Sequence, residues 1–342
     1  MKLRSLLLLV PLVVAPMPAQ AAITAEILEV RKIWDVGAHN AFTDLIRWRD
    51  RWWCTFREAD DHVGGDGAIR ILTSTDGARW ESAARLTEAG IDLRDPKLSV
   101  TPAGKLMLNC GGSVYGGTKI LKSRQSRVLF SDDGRAWSAP TPVLTQGEWL
   151  WRVTWHNGIA YGAAYDSKTA SNAPSGPEWL LNLYKSTDGV AWDLVKKMEV
   201  TGRPNETTLR FEPDGTMLML VRREGDDRMG HIGRAKPPYQ SWTWQATNHR
   251  FGGQNALRLP SGAWLVGTRD YTGITKGSAG SRTMLGQLLP DGKIATLATF
   301  PSDGDTSYPA MVLHDGKLWF SYYSSHEGKT SIYLATLAVR GG

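Results

Sequence analysis

Short segments of alternating apolar and polar residues dominate the chain and predict β-strands, whereas helical periodicity is nearly absent. In six places two such segments flank a tight polar turn, and the turn centres lie 47 to 57 residues apart. These turns are Arg49-Asp50-Arg51, Pro102-Ala103-Gly104, His156-Asn157-Gly158, Pro213-Asp214-Gly215, Pro260-Ser261-Gly262 and His314-Asp315-Gly316. A repeat of this period is typical of a propeller in which each copy forms one blade. The sequence therefore predicts an all-β fold, a six-bladed β-propeller that gathers distant residues around one axis.

A second phrase, Ser-x-Asp-Gly-x-x-Trp, follows the third strand in each of the first three repeats. It occupies residues 74–80, 131–137 and 186–192. We expect the Asp carboxylate to accept hydrogen bonds from turn N–H groups, the Gly to adopt a positive φ, and the Trp to pack beneath the turn. These residues are interpreted as structural parts of the outer rim, and no chemistry is assigned to them.

Two segments at the start of the chain lie outside the six repeats. Residues 1–21 combine early positive charge, an apolar stretch from Leu6 to Val14 and a small-residue cleavage site, which is typical of a secretory signal peptide. We therefore expect an exported protein, periplasmic or extracellular, with residues 22–342 as one propeller domain. The strand from Ile23 to Ile33 has no partner in the first repeat, so we expect it to join the last blade and close the ring.

Composition excludes several classes of partner. The chain has 40 Lys and Arg against 34 Asp and Glu, a net charge of +6, without a basic cluster that would track phosphates. Nucleic acid binding is therefore not expected, and no segment after the leader is long and apolar enough to insert in a membrane. The seven His and two Cys show no metal-ligand spacing, so no metal or cofactor is expected. Cys54 and Cys110 are read as buried free thiols, with a disulfide as the alternative that export would permit.

Polar residues recur where innermost strands begin and second strands end, which should be one mouth of the propeller. Core strand positions are usually apolar, so charge at one end of every repeat predicts a site there rather than a packing role. Strand entrances supply His39, Asn40, Arg94, Asp95, Glu148, Arg152, Asn205, Glu206, Gln254, Asn255, Asp305, Thr306 and Tyr308. Strand exits supply Arg57, Glu58, Asp166, Arg222, Arg223, Arg269, Asp270, Tyr322 and Tyr323.

With these motifs the mature chain resembles the sialidase (neuraminidase) superfamily, whose six-bladed propellers carry the Ser-x-Asp-Gly phrase as the Asp-box, or BNR repeat. The stretch Asn205-Glu206-Thr207-Thr208, followed by Arg222, resembles the segment with the catalytic Glu and the second substrate-binding arginine. Gly267-Thr268-Arg269 matches the third arginine, and Ser307-Tyr308-Pro309 matches the nucleophilic tyrosine.

The resemblance implies a role for each matched residue. Tyr308 would be the nucleophile, Glu206 would raise its nucleophilicity, and Arg222 and Arg269 would hold a substrate carboxylate. A tyrosine nucleophile is the recognised sialidase exception to the two-carboxylate rule for glycosidases. The superfamily's acid/base is an Asp, and the loop before the first Asp-box offers Asp60, Asp61 and Asp66, of which Asp61 and Asp66 are preferred.

One blade departs from the superfamily pattern. Sialidases open the first blade with Arg-Ile-Pro, whose arginine is the first of three that bind the carboxylate, but this chain has Ala41-Phe42-Thr43. We expect Arg57 or Arg94 to compensate, and Asp95 to contact the substrate. His39 and His62 are further candidates for substrate binding or proton transfer.

The leading hypothesis is an exo-acting glycoside hydrolase of sialidase type that removes a terminal acidic sugar from glycans with retention of configuration. A propeller polysaccharide lyase acting on uronic acids is a second hypothesis, with His39, His62 and Tyr308 as proton-transfer groups. A glycan-binding propeller without catalysis is the third, because a fold does not determine a function.

Overall fold

The computed structural model describes residues 22–116, 119–167, 178–274 and 279–341. The predicted signal peptide, residues 1–21, lies outside them. The described residues form 24 β-strands in six four-stranded antiparallel sheets. The predicted all-β six-bladed propeller is confirmed. Within these residues no helix is present that could span a membrane.

Each sheet is one blade, and in five of the six blades the four strands follow one another in sequence. Blades one and two contain β2 (His39–Trp48), β3 (Arg51–Ala59), β4 (Ala68–Ser74), β5 (Glu81–Leu86), β6 (Asp92–Val100), β7 (Leu106–Tyr115), β8 (Leu121–Ser131) and β9 (Thr141–Val143). Blades three and four contain β10 (Trp149–His156), β11 (Ile159–Asp166), β12 (Leu180–Ser186), β13 (Asp193–Lys197), β14 (Pro204–Phe211), β15 (Met217–Arg223), β16 (His231–Ala235) and β17 (Thr243–Ala246). Blade five contains β18 (Asn255–Arg258), β19 (Trp264–Asp270), β20 (Arg282–Leu288) and β21 (Ile294–Thr299). Blade six contains β22 (Thr306–His314), β23 (Lys317–Ser324), β24 (Ser331–Arg340) and the first strand, β1 (Thr24–Trp34).

The ring closes through the first strand, as expected from the sequence. Strand β1 pairs antiparallel with β24, from Thr24 opposite Arg340 to Trp34 opposite Ile332. This pairing covers a sheet edge that would otherwise expose unpaired backbone groups. The N-terminal and C-terminal segments are therefore held together in one blade.

The innermost strands β2, β6, β10, β14, β18 and β22 contact one another around the axis. Apolar side chains fill the spaces between neighbouring sheets. Between blades four and five, for example, Leu218 and Leu220 pack with Val266 and Met284. Every inner strand starts at the same end of the ring, and this end is the mouth that the sequence predicts.

The three Ser-x-Asp-Gly turns share one geometry at the opposite end of the blades. In the first, Asp76 Oδ1 accepts the backbone N–H groups of Ala78 and Arg79 at 2.8 and 2.9 Å. Gly77 has a φ of 71°, and Trp80 Nε1 donates to the Gly77 carbonyl at 3.0 Å. The turns at Asp133 and Asp188 repeat these bonds. The expected turn chemistry is confirmed, and it lies away from the mouth.

Both cysteines are free and fully buried, in different hydrophobic clusters. Burial raises the pKa of each thiol above its ordinary value. The interpretation of Cys54 and Cys110 as packing residues is therefore confirmed over the disulfide.

Candidate active site

A β-bulge near the start of the inner strand shapes the mouth in five of the six blades. In each bulge, two residues of the inner strand lie opposite a single residue of the second strand. A bulge of this kind redirects the side chains that it carries. In blade five, Gly253, with a φ of 63°, takes the corresponding place just before β18. The first bulge residue of each of the five blades, together with Gly253 of blade five, gives a set with one residue from every blade: Phe42, Asp95, Trp151, Asn205, Gly253 and Tyr308. Together we call them the floor ring.

Tyr308 of blade six and Glu206 of blade four, which are 102 residues apart in sequence, come together at this ring. Tyr308 Oη donates to Glu206 Oε1 at 2.5 Å. Arg222 Nη1 donates to the same oxygen at 2.6 Å, and the Gly253 N–H donates to Glu206 Oε2 at 2.9 Å. The carboxylate is thus fixed by three donors, with one oxygen against the phenol. The structure thus brings together Tyr308, Glu206 and Arg222, three of the residues that the sequence predicts for the site.

The surroundings of Tyr308 favour its neutral phenol form. Burial, and then the neighbouring Glu206 charge, raise the pKa of Tyr308 well above its ordinary value. The phenol can act as a nucleophile only if a base removes its proton during the attack. Glu206 Oε1 is the atom positioned to accept that proton.

Gly253 makes this contact possible. A Cβ atom at this position would lie 2.3 Å from Tyr308 Cδ2 and 2.8 Å from Tyr308 Cα, and its positive φ is disfavoured for other residues. Tyr308 itself has a φ of 53°, which is uncommon for a residue with a large side chain. Such backbone conformations are frequent at functional sites.

Arg269 and Arg94 also reach the mouth, as expected. Arg269 donates through Nε to the Thr306 carbonyl at 2.8 Å and through Nη1 to Tyr271 Oη at 2.9 Å. The Arg94 guanidinium lies 5.1 Å from the centre of the Phe42 ring and donates to the His62 carbonyl at 2.9 Å. With Arg222, three arginines from blades two, four and five therefore border the floor ring.

Arg57, the other expected replacement for the missing arginine, has a structural role instead. Its side chain and that of Asp92 have no exposed surface, and they pair through Nε and Nη2 at 2.7 and 3.0 Å. Nη1 donates to the Asp61 carbonyl at 2.7 Å. Arg57 thus joins blades one and two beneath the loop of residues 60–66, and the structure does not bring its guanidinium into the mouth.

Phe42 is the floor-ring residue of blade one, in the stretch Ala41-Phe42-Thr43 that stands where the superfamily pattern has Arg-Ile-Pro. Its ring lies 4.9 Å from the Tyr308 ring, centre to centre, and 5.5 Å from the Tyr323 ring. An apolar ring therefore stands beside Tyr308 in blade one, and the arginines that border the floor ring come from blades two, four and five.

Neither of the two preferred acid/base candidates presents a free carboxylate to the floor ring. Asp61 accepts its neighbour's N–H, that of His62, at 2.6 Å, and its other oxygen pairs with Lys119. Asp66 Oδ2 accepts the Gly90 N–H at 3.1 Å, in an exposed turn. The structure therefore brings Asp61 to the rim of the mouth, and it does not bring Asp66 together with Tyr308.

Asp95 is the acidic member of the floor ring. It is 9% exposed, and among the described residues no hydrogen-bond partner is found for its carboxylate. Burial raises the pKa of Asp95, against the attraction of Arg94 and Lys97. A buried carboxyl group without another partner is placed to form a hydrogen bond with a substrate hydroxyl.

His39 and His62 come together through Asp305. His62 Nδ1 and His39 Nε2 lie 2.7 and 2.9 Å from Asp305 Oδ2, and Tyr323 Oη donates to Asp305 Oδ1 at 2.8 Å. The two nitrogens and the carboxylate oxygen all lie within 4.8 Å of one another, a spacing that would also suit a cation. Hydrogen bonding accounts for this spacing without a cation.

Lys97 is a buried charge that the sequence reasoning missed. Its side chain lies under the floor ring, with Nζ 5.0 Å from the Trp151 ring and 5.6 Å from the Tyr308 ring. Among the described residues, Nζ finds as acceptors only the Pro96 and Thr43 carbonyls, at 3.2 and 3.4 Å. Burial, assisted by Arg152, lowers the pKa of Lys97 to about 8. The available signal was a lysine on the inner strand of blade two, two residues past Asp95.

Two other residues expected at the mouth make structural contacts elsewhere. Arg152 Nη1 pairs with buried Asp44 on the axis at 2.9 Å. Glu148 accepts hydrogen bonds from Tyr184 Oη and Asn182, within its own blade. Neither residue contributes to the floor ring.

A cleft of about 700 Å³ opens beside Glu206, over blades two to four. Basic residues outnumber acidic ones in its lining, and aromatic rings supply apolar surface. The cations are Lys119, Arg124, Arg222, Arg228 and Arg250, the acids Glu206 and Glu224, and the aromatic residues Tyr115, Tyr165 and Trp179. A second cavity of about 680 Å³ lies among the turns at the opposite end, far from Tyr308.

Comparison with known proteins supports the fold. A protein of unknown function from Dyadobacter fermentans superposes with a TM-score of 0.78 and 18% identity, over 93% of this chain and 100% of that chain. Trypanosoma rangeli sialidase gives a TM-score of 0.67 at 12% identity over 88% of this chain and 55% of its own, so this chain spans about half its length. A mutant α-L-arabinofuranosidase from Fusarium graminearum, bound to an iminosugar inhibitor, gives a TM-score of 0.65 at 14% identity, over 91% of this chain and 97% of that chain. No protein-family model and no curated protein matches the sequence. At these identities the likenesses show a sialidase-like propeller fold.

Proposed function

We propose that the protein is an exo-acting glycoside hydrolase that removes a terminal acidic sugar from glycans with retention of configuration. The observation that carries this proposal is the contact of Tyr308 Oη with Glu206 Oε1 at 2.5 Å, in a mouth bordered by arginines. A phenol against a fixed carboxylate is the arrangement that a tyrosine nucleophile needs. The sialidase and the arabinofuranosidase that share the fold are glycosidases by name, which agrees with the proposal.

The reaction follows from the positions of these groups. Tyr308 Oη would attack the anomeric carbon while its proton passes to Glu206 Oε1, and the bond to the leaving oxygen breaks. Water would then attack the same carbon, and the electron pair of the Tyr308–carbon bond returns to the phenol oxygen. Two displacements at one carbon give net retention.

The charge of the mouth supports an acidic sugar. Arg222, Arg269 and Arg94 approach from three blades, and guanidinium groups bind planar carboxylates through paired hydrogen bonds. A neutral phenol also approaches an anionic sugar without the repulsion that a nucleophilic carboxylate would meet. The cationic cleft beside Glu206 would hold the remainder of the glycan.

A lyase acting on uronic acids is the second candidate function, and the position of His62 favours it. The His62 ring lies 5.3 Å from Phe42, which packs on Tyr308, so an imidazole and a phenol border the same space near Arg94. Such groups can remove the proton next to a uronate carboxylate. An unsaturated product that absorbs in the ultraviolet would identify this reaction.

We expect the purified protein to release the fluorophore from at least one aryl glycoside of an acidic sugar. The panel should include sialosides, other keto-acid sugars and uronides, and the product should first appear in the configuration of the substrate by NMR. A product of inverted configuration would indicate an inverting hydrolase, and an unsaturated uronate would indicate a lyase. Either result would contradict retaining hydrolysis. Tight glycan binding without any product would instead identify a binding protein.

The predicted leader also leads us to propose export, which the processed N-terminus of the secreted protein would test.

A further inference from the structure

We propose that His62, oriented by Asp305, transfers the proton to and from the leaving oxygen in the retaining hydrolysis proposed for this site, on which this inference rests. The superfamily resemblance assigns this role to an aspartate of the same loop. Here the loop instead presents an imidazole, and the carboxylates of the two preferred aspartates, Asp61 and Asp66, are engaged in other contacts.

Asp305 fixes the orientation of the His62 ring. Its Oδ2 lies 2.7 Å from His62 Nδ1 and 2.9 Å from His39 Nε2, and its Oδ1 accepts the Tyr323 hydroxyl. Burial alone would raise the pKa of Asp305, but hydrogen bonds from the two histidines hold it well below its ordinary range. An ionised carboxylate at Nδ1 favours the tautomer with its proton on that nitrogen. His62 Nε2 is then the atom that exchanges a proton.

His62 stands over the mouth at a position that a substrate can reach. Its ring meets the Phe42 ring edge-on at 5.3 Å, centre to centre, and the Phe42 ring lies 4.9 Å from the Tyr308 ring. The side chain is 46% exposed, and among the described residues Nε2 has no hydrogen-bond partner. Arg94 holds the His62 carbonyl at 2.9 Å, so the backbone that carries the ring is also fixed.

His39 is a positioning residue rather than a second proton donor. It is 8% exposed, its Nε2 is directed at Asp305, and its Nδ1 is buried without a partner among the described residues. The ring therefore holds the same Asp305 oxygen that orients His62. Asp61 cannot easily replace His62, because one of its oxygens accepts the His62 N–H and the other pairs with Lys119.

The proton transfers balance over the two steps. In the first, His62 starts as the imidazolium, with a proton on each ring nitrogen. Tyr308 attacks, its proton goes to Glu206, and the departing oxygen takes the electron pair of its bond together with the proton of His62 Nε2, which leaves neutral His62 with its proton on Nδ1. In the second, water attacks the anomeric carbon and gives its proton to His62 Nε2. The Tyr308 oxygen leaves with its electron pair and recovers the proton from Glu206. The enzyme ends in its starting state.

Two measurements test the inference. The first is ¹⁵N NMR of protein labelled at its seven histidines, with the His62 signals identified by their loss in His62→Gln. We expect neutral His62 to carry its proton on Nδ1, and Asp305→Asn to shift it toward Nε2. A proton on Nε2 in the wild type would overturn the inference. So would stoichiometric Zn²⁺ binding that is lost in both His39→Gln and His62→Gln, because the cluster would then be a metal site.

The second measurement compares leaving groups on the sugar that the wild type hydrolyses. We expect His62→Gln to lower kcat/KM by about 10²-fold for a poor leaving group and far less for an activated aryl group, which needs little protonation. His314→Gln is the matched control, because His314 also lies beside an aspartate, Asp315, but at the opposite end. Equal activity of His62→Gln and the control overturns the inference and leaves the proposed function intact. A wild type without hydrolysis of any sugar overturns both.

Discussion

Tyr308→Phe is expected to lower kcat/KM for the acidic glycoside by at least about 10³-fold, because it removes the nucleophilic oxygen and leaves the ring in place. The aromatic contacts with Phe42 and Trp151 do not involve that oxygen, so the fold and the binding of the sugar should persist. Steady-state kinetics with the fluorogenic substrate, together with binding of the unhydrolysed sugar by calorimetry, separates loss of chemistry from loss of structure.

Tyr322→Phe provides the matched control in the same blade. Tyr322 is also buried, and its hydroxyl donates to the Pro301 carbonyl at 2.9 Å, outside the floor ring. Its loss should cost about 1 kcal/mol of stability and leave kcat/KM within a few-fold of the wild type. Equal kcat/KM values for the two variants would remove Tyr308 from the mechanism.

Lys97→Met is expected to change how the stability of the protein depends on pH. Lys97 titrates near pH 8 in the folded state, against an ordinary value of 10.5. Between these values the unfolded chain binds a proton that the folded chain lacks, so the stability of the wild type rises with pH. Below about pH 8 both states bind the proton, and the cost of burying the charge is fully present.

The free energy of unfolding in urea should therefore rise by about 2 kcal/mol more for the wild type than for Lys97→Met between about pH 7 and pH 9.5. Other titrating groups are shared by both proteins and cancel in this difference. Lys105→Met, which removes an exposed lysine paired with Asp132, should show no such difference from the wild type. Parallel pH profiles for the wild type and Lys97→Met would show that this lysine keeps an ordinary pKa.

The architecture was predictable because it depends on local patterns that the chain repeats. Alternation indicated the strands, the polar turns indicated the blade period, and the unpaired segment from Ile23 to Ile33 predicted the closing strand. The inner-strand bulges were not predictable in this way. A bulge shifts register by one position without a distinct composition, since its residues range from Phe42 to Asp95 and Tyr308.

The candidate site was predictable where the resemblance fixed a residue within a motif. Tyr308, Glu206, Arg222 and Arg269 all reach the mouth. Arg57 has the same strand-end position, but its partner Asp92 is 35 residues away in the next blade, and sequence periodicity does not reveal such a pairing. The same limit applied to His62, whose orientation depends on Asp305, 243 residues later.

The central claim is that Tyr308 forms a bond to the anomeric carbon. A 2,3-difluoro derivative of the acidic sugar that the protein hydrolyses slows release of such an intermediate, so the labelled protein can be digested and mapped by mass spectrometry. The account predicts one sugar for each chain, carried by the peptide that contains Tyr308, and no labelling of Tyr308→Phe. A label on another residue, or no label on a protein that hydrolyses the parent sugar, would contradict it.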